Sequence, residues 1–176
     1  MTQPAPTTNC GTQADSGKII AVCVSAGGIP KRALAAAEVT ANGLAGDGHA
    51  HAKHIRTSRA VSILDLETLE QLQKEGFPLY PGALGENLTV AGLHVQRLLP
   101  GSLLEIGNVL LRLEEPRKPC YVLDAIHPAL KDVIVGRCGY MASVVQGGLI
   151  EPGMRIARVS EEQGCACPVP PEVSQQ

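Results

Sequence analysis

Leu103-Leu104-Glu105-Ile106-Gly107-Asn108-Val109-Leu110-Leu111-Arg112-Leu113-Glu114 reads as two short strands, Leu103 to Ile106 and Val109 to Glu114, with a glycine between them. The second alternates its side chains in the period of a half-buried β-strand. The same texture recurs outward in both directions. Lys18 to Ser25 is rich in Ile and Val and ends at Gly27-Gly28, and Ala36 to Thr40 closes on Asn42-Gly43. Ala60 to Leu64, Leu88 to Ala91, Tyr140 to Val145 and Met154 to Val159 are further apolar runs separated by Gly or Pro. One helix stands among them: Asp65 is placed to cap it, Leu66, Leu69 and Leu72 form its stripe, and Gly76 ends it. A second short helix is expected between Cys120 and Val133, broken by His127-Pro128. Many short strands with two or so short helices predict a mainly β fold, a barrel or a sandwich. A parallel α/β sheet would need a helix in every crossover, and those are missing.

The chain of 176 residues fits one domain and is long enough to bury a core without staples. Residues 1–17, rich in Thr, Gln, Pro and Ala, read as a disordered lead-in, and the Pro-rich polar stretch 161–176 as a flexible tail, leaving 18–160 as the folded unit. A net charge of -2 argues against a nucleic-acid-binding domain, and aromatics at 2% leave few stacking platforms. No run approaches the roughly 20 apolar residues of a membrane span, and no basic-then-apolar leader is visible, so a cytoplasmic location is expected. That setting implies free thiols. The six cysteines, Cys10, Cys23, Cys120, Cys138, Cys165 and Cys167, lack the paired spacing of a structural zinc site.

Chemistry concentrates in four segments. Arg117-Lys118-Pro119-Cys120 follows the strand Val109 to Glu114, so its thiol sits where β-structure gives way to a turn. Thiolate is the reactive form of cysteine, and neighbouring cations favour it over the reference pKa of about 8.5. The plain alternative is a half-buried cysteine beside solvated charges. Gly43-Leu44-Ala45-Gly46-Asp47-Gly48-His49 is a glycine-dense loop that either turns the chain sharply or lets a ligand approach the backbone. His49, His51 and His54 after it could ligate a metal with Asp47, or be solvated loop histidines. In Gly85-Glu86-Asn87-Leu88, Asn87 can orient a polar ligand or close a turn. Cys138, next to Arg137, rivals Cys120 for the reactive thiol, and Cys165-Ala166-Cys167 could bind a soft metal or exchange disulfides.

Taken in order, these segments resemble the MOSC domain, the module named after the C-terminal part of molybdenum cofactor sulfurase. The resemblance rests on 43–49, on Arg59-Ala60-Val61-Ser62 and on Pro81-Gly82-Ala83-Leu84-Gly85-Glu86-Asn87-Leu88-Thr89. It continues through Leu103-Leu104-Glu105-Ile106-Gly107, Arg117-Lys118-Pro119-Cys120, and Gly139-Tyr140 through Gly147-Gly148 to Pro152-Gly153. It implies a barrel-like β fold in which the cysteine matching Cys120 carries sulfur or contacts the molybdenum cofactor. In the fused enzymes a pyridoxal-phosphate cysteine desulfurase domain supplies the sulfur. No pyridoxal phosphate site is expected in this chain, which resembles the stand-alone bacterial members. The run from His51 to His54 departs from many relatives.

On that basis Cys120 is the candidate for catalysis as a persulfide carrier, with Arg117, Lys118 and Arg59 as anion contacts. Asn87, Gly46, Asp47 and His49 complete the candidate cofactor site. The expected partners are a cysteine desulfurase and a molybdenum or other metal enzyme as sulfur acceptor, with neither nucleic acid nor membrane. A variant makes Cys120 a molybdenum ligand in a reductase fed by a partner. The alternatives are a module that binds and delivers the pterin cofactor, and a metal-dependent hydrolase built on His49, His51 and His54.

Overall fold

In the computed structural model, residues 15–48 and 57–159 are described. Among these residues eleven strands and two α-helices follow one another: β1 (Ser16–Val24), β2 (Arg32–Leu34), β3 (Ala37–Thr40), β4 (Gly43–Leu44), β5 (Val61–Asp65), α1 (Leu66–Lys74), β6 (Leu88–Ala91), β7 (Leu103–Ile106), β8 (Val109–Pro116), α2 (Leu130–Val133), β9 (Tyr140–Gln146), β10 (Gly148–Ile150) and β11 (Arg155–Arg158). The large sheet runs β11-β7-β8-β9-β5-β6-β1-β2, and β11 also pairs with β1, so seven strands close into a barrel with β2 on the rim. Closure removes the sheet edges that would otherwise invite pairing with other chains. A small second sheet, β10-β3-β4, lies alongside.

The expected mainly β barrel with two short helices is therefore the fold. The stretch 103–114 is its clearest member: β7 and β8 pair antiparallel from Leu103↔Arg112 to Ile106↔Val109. Alternation puts Val109, Leu111 and Leu113 inside at 0% exposure and turns Arg112 outward. Leu104, Ile106, Ile19, Val22, Ile63, Leu88 and Val90 fill the same interior, an aliphatic core that needs no aromatic ring. Among the described residues only β5 and β6 run parallel, and α1 makes the crossover they require.

α1 buries Leu69 and Leu72 from the expected stripe, each worth about 2 kcal/mol of transfer free energy. Asp65 occupies the N-cap position, but its side chain makes no cap bond. The carboxylate instead accepts from Val95 N (2.9 Å) and Gln96 N (3.4 Å), pinning the segment after β6. The helix expected between Cys120 and Val133 is two pieces, a 3-10 turn at Tyr121–Ala125 and α2, with the break at His127-Pro128 as the proline requires. β2, β4 and β10 were not foreseen. Each is two or three residues long, too short to show a period. α1, the segment 77–84 and the α2 region share a second apolar cluster, which includes Leu64, Leu84, Leu123, Ile134 and Cys138.

Candidate functional site

β8 stays paired with β9 to Pro116↔Tyr140, and the Arg117 amide donates to Gly139 O (2.8 Å). Pairing stops there. Cys120 is extended (φ -125°, ψ 153°), and its carbonyl accepts from Leu123 N to begin the 3-10 turn. Arg117-Lys118-Pro119-Cys120 is thus a short bridge across one end of the barrel, held at both ends by backbone bonds.

The bridge walls a cavity of about 500 Å³. Among the described residues four cations line it, Lys31, Arg59, Arg117 and Lys118, against one carboxylate, Asp47. Cys120 is exposed at its edge, and Ile29, Tyr121, Val122 and Met141 supply apolar wall. A soft thiol, a surplus of cationic donors and apolar faces in one recess suit an anionic, partly aromatic guest.

Each cation is held differently. Arg117 is the deepest: Nη2 donates to the Leu84 carbonyl (2.6 Å). Burial pushes its guanidinium below the ordinary value, while the charge of buried Glu86 acts the other way. Gly85 makes the close approach possible: it has φ +79°, and a Cβ there would stand 2.7 Å from Ile29 Cγ2 and 3.4 Å from Arg117 Nη2. Arg59, after the undescribed stretch 49–56, meets Glu115 (3.4 Å) with both side chains about half exposed, a weak surface pair. Lys118 is exposed. Lys31 is sunk in the floor, its Nζ 2.5 Å from Asp47 Oδ2. Burial pushes the Lys31 ammonium down, and the Asp47 bond opposes that.

Asp47 and Asn87 line the cavity, but their polar atoms are spent on the framework. Asp47 Oδ1 accepts from Ser25 N (2.9 Å), and Oδ2 takes both Lys31 and Asn87 Nδ2 (2.8 Å). Asn87 Nδ2 also donates to Cys23 O, while its Oδ1 accepts from Ser62 N and Ser62 Oγ. Asn87 therefore ties β1, β5 and the loop before β6 together; it is a clamp under the site. Glu86 beside it is fully buried. Its Oε1 accepts from Gly82 N and Thr89 Oγ, and its Oε2 has no partner among the described residues. Burial pushes this carboxyl up, and together with burial its charge pushes the Cys23 thiol to about 11.

Gly46 is not among the residues that line the cavity; it turns the chain so that Asp47 N meets Leu44 O, and from this loop Gly48 lines the recess instead. His49, His51, His54, Cys165 and Cys167 lie outside the described residues. Among the described residues no group of His, Cys, Asp and Glu is arranged to hold a metal ion. Cys138 is 5% exposed and packs in the second cluster, its S–H directed at Ile134 O (3.3 Å). Its neighbour Arg137 turns away to a two-pronged bond with Glu75. Lys31 escaped the sequence reading: in Pro30-Lys31-Arg32 it looks like surface charge, and the one available signal was its place after the Gly27-Gly28 turn.

The MOSC domain family model matches residues 50–157. A "Reductase" of Gibberella moniliformis is 35% identical over 127 residues, 67% of this chain and 23% of that protein. The uncharacterized protein YflK of Bacillus subtilis is 31% identical over 88 residues, 47% of this chain and 39% of that protein. The chain thus spans well under half the length of these curated relatives. Among solved structures, YiiM from Geobacillus stearothermophilus superposes with a TM-score of 0.68 at 27% identity, covering 84% of this chain and 77% of that one.

Proposed function

This chain belongs to the MOSC domain family, whose association is with molybdenum-cofactor and sulfurase-like function, and from that premise we propose that Cys120 is its sulfur-bearing residue. The observation that carries the reading is the placement of an exposed thiol on the edge of a recess lined by four cations. In the proposed reaction the Cys120 thiolate attacks the outer sulfur of a persulfide on a separate cysteine desulfurase. The donor S–S bond breaks as the new one forms, the electron pair leaves on the donor thiolate, and Cys120 is left as a persulfide. Arg117 and Lys118 stabilise the anionic sulfur, which is then passed to a metal enzyme or cofactor.

The residues present fit the molybdenum cofactor as the guest. Arg117, Lys118, Lys31 and Arg59 would hold its phosphate, Cys120 offers the soft ligand molybdenum favours, and Ile29, Tyr121 and Met141 would face its ring system. When bound, that cofactor supplies a redox-active metal centre. A second reading, in which Cys120 is a permanent molybdenum ligand in a reductase, is favoured by the name of the fungal relative. Incubation with a cysteine desulfurase and 35S-cysteine separates the two. The carrier reading predicts label on the wild type, removable by dithiothreitol and lost in Cys120→Ser. Label retained by Cys120→Ser would overturn it, and co-purifying molybdenum without any label would favour the reductase.

A further inference from the structure

Beside the main recess lies a second chamber of about 20 Å³. Cys120 and Arg117 line both, so the bridge is the partition between them. Lys118 and Pro119 of the bridge also reach the small chamber, and the rest of its wall is apolar carbon from Leu84, Val122, Leu123 and Ile134, together with the Cys138 thiol. Its volume suits about one water-sized atom. Water needs two to four polar partners in such a place, acceptors as well as donors; this wall offers cations and carbon, and the Leu84 and Ile134 carbonyls are already engaged by Arg117 Nη2 and Cys138.

A single soft, weakly hydrated, anionic atom fits better than water. Resting on the carrier reading of Cys120, we infer that this chamber is a sulfane-sulfur site: the outer sulfur of the Cys120 persulfide lodges there, paired with Arg117 and screened from solvent thiols. Arg117 is electrostatically coupled to both thiols, Cys120 on one side and Cys138 on the other. Apolar walls exclude the water and small thiols that would strip an exposed persulfide, while the guanidinium offsets the charge such walls would otherwise reject.

Cys138 would be a poor competitor for this sulfur. Burial pushes its thiol up, outweighing the lowering by Arg117 and Arg137, so it stays protonated beside the Ile134 carbonyl. A thiolate there would attack the Cys120 Sγ–S bond, expel hydrosulfide and leave a Cys120–Cys138 disulfide. The protonated form instead makes Cys138 a polarizable wall, so the persulfide persists.

The test loads the full chain with glutathione persulfide, which yields one added sulfur on Cys120 and free glutathione. It then follows the loss of that sulfur under dithiothreitol by intact mass. Cys138→Met fills the chamber and leaves the outer face of Cys120 alone. Its unloaded Cys120 should react with iodoacetamide as in the wild type, while its persulfide should decay about ten-fold faster, as exposure to attacking thiols predicts. Ile134→Phe fills the same space from another wall and stands in if the first variant fails to fold. In the wild type alone, the Cys120 persulfide should outlast free glutathione persulfide under the same challenge. Equal lifetimes in wild type and filled variants, or a Cys120–Cys138 disulfide with sulfide released, would overturn the chamber. A folded wild type that never takes up sulfur on Cys120 would overturn the carrier reading beneath it.

Discussion

Asp47 fastens Lys31 to the floor of the cavity: the two charges meet at 2.5 Å with side chains 5% and 11% exposed. The carboxylate oxygen that takes the ammonium also takes the Asn87 amide, so one acid anchors both the buried cation and the clamp that joins β1, β5 and the loop before β6. Removing one partner of such a pair leaves the other charge buried and alone. Asp47→Ala should therefore cost about 3–5 kcal/mol in chemical denaturation. Lys31→Met should cost less, because Ser25 N and Asn87 still serve the carboxylate. Equal, sub-kilocalorie losses would mean the pair is solvated.

Glu86 gives stability a pH signature of definite sign. Its folded-state pKa is raised by burial, so between the ordinary carboxylate range and the folded value the native state binds more protons than the unfolded chain. That contribution is fully present below the unfolded pKa and is lost as pH rises through the folded one. Glu86→Gln should flatten this fall, gaining on the wild type as urea titrations move from acid to mildly alkaline pH. A constant offset across that range would contradict it.

Gly85→Ala should disturb the site from behind. The position has φ +79°, and the new methyl would press on Ile29 and Arg117. Left-handed strain and the clash together should cost about 1–3 kcal/mol, read as a lower thermal midpoint. An unchanged midpoint would show that the loop relaxes freely.

The cation surplus should be measurable with a simple anion. Sulfate should slow iodoacetamide alkylation of Cys120, and Arg117→Met should weaken that protection about 10- to 100-fold, the scale of a lost charge-assisted hydrogen bond. Added chloride should erode it by screening. Alkylation indifferent to sulfate would remove the anion-site reading.

How much of this could be read from the chain varies residue by residue. Val109, Leu111 and Leu113 announce a strand because their burial repeats every second position, and Leu69 and Leu72 announce a helix for the corresponding reason. Gly43–Leu44 and Gly148–Ile150 announce nothing, since so short a pairing is made by its partners in space. The bridge 117–120 was legible as a cation-flanked thiol at a strand end. That Arg117 goes inward while Arg137 goes out to Glu75 was not, because each sits one or more residues before a cysteine and only packing tells them apart. Asn87 and Lys31 illustrate the same limit: one amide is consumed by the framework, and one apparently superficial lysine is buried against Asp47. Local pattern reports which face of an element is apolar, and it carries no information on which distant carboxylate an ammonium will find.

The most direct test is peptide-level mass spectrometry of the protein isolated from its own cells without reductant. The account predicts an added sulfur on the peptide containing Cys120, or co-isolated pterin and molybdenum that Cys120→Ser releases. An unmodified Cys120 with sulfur on Cys138 or on Cys165 and Cys167, and no cofactor bound, would contradict it.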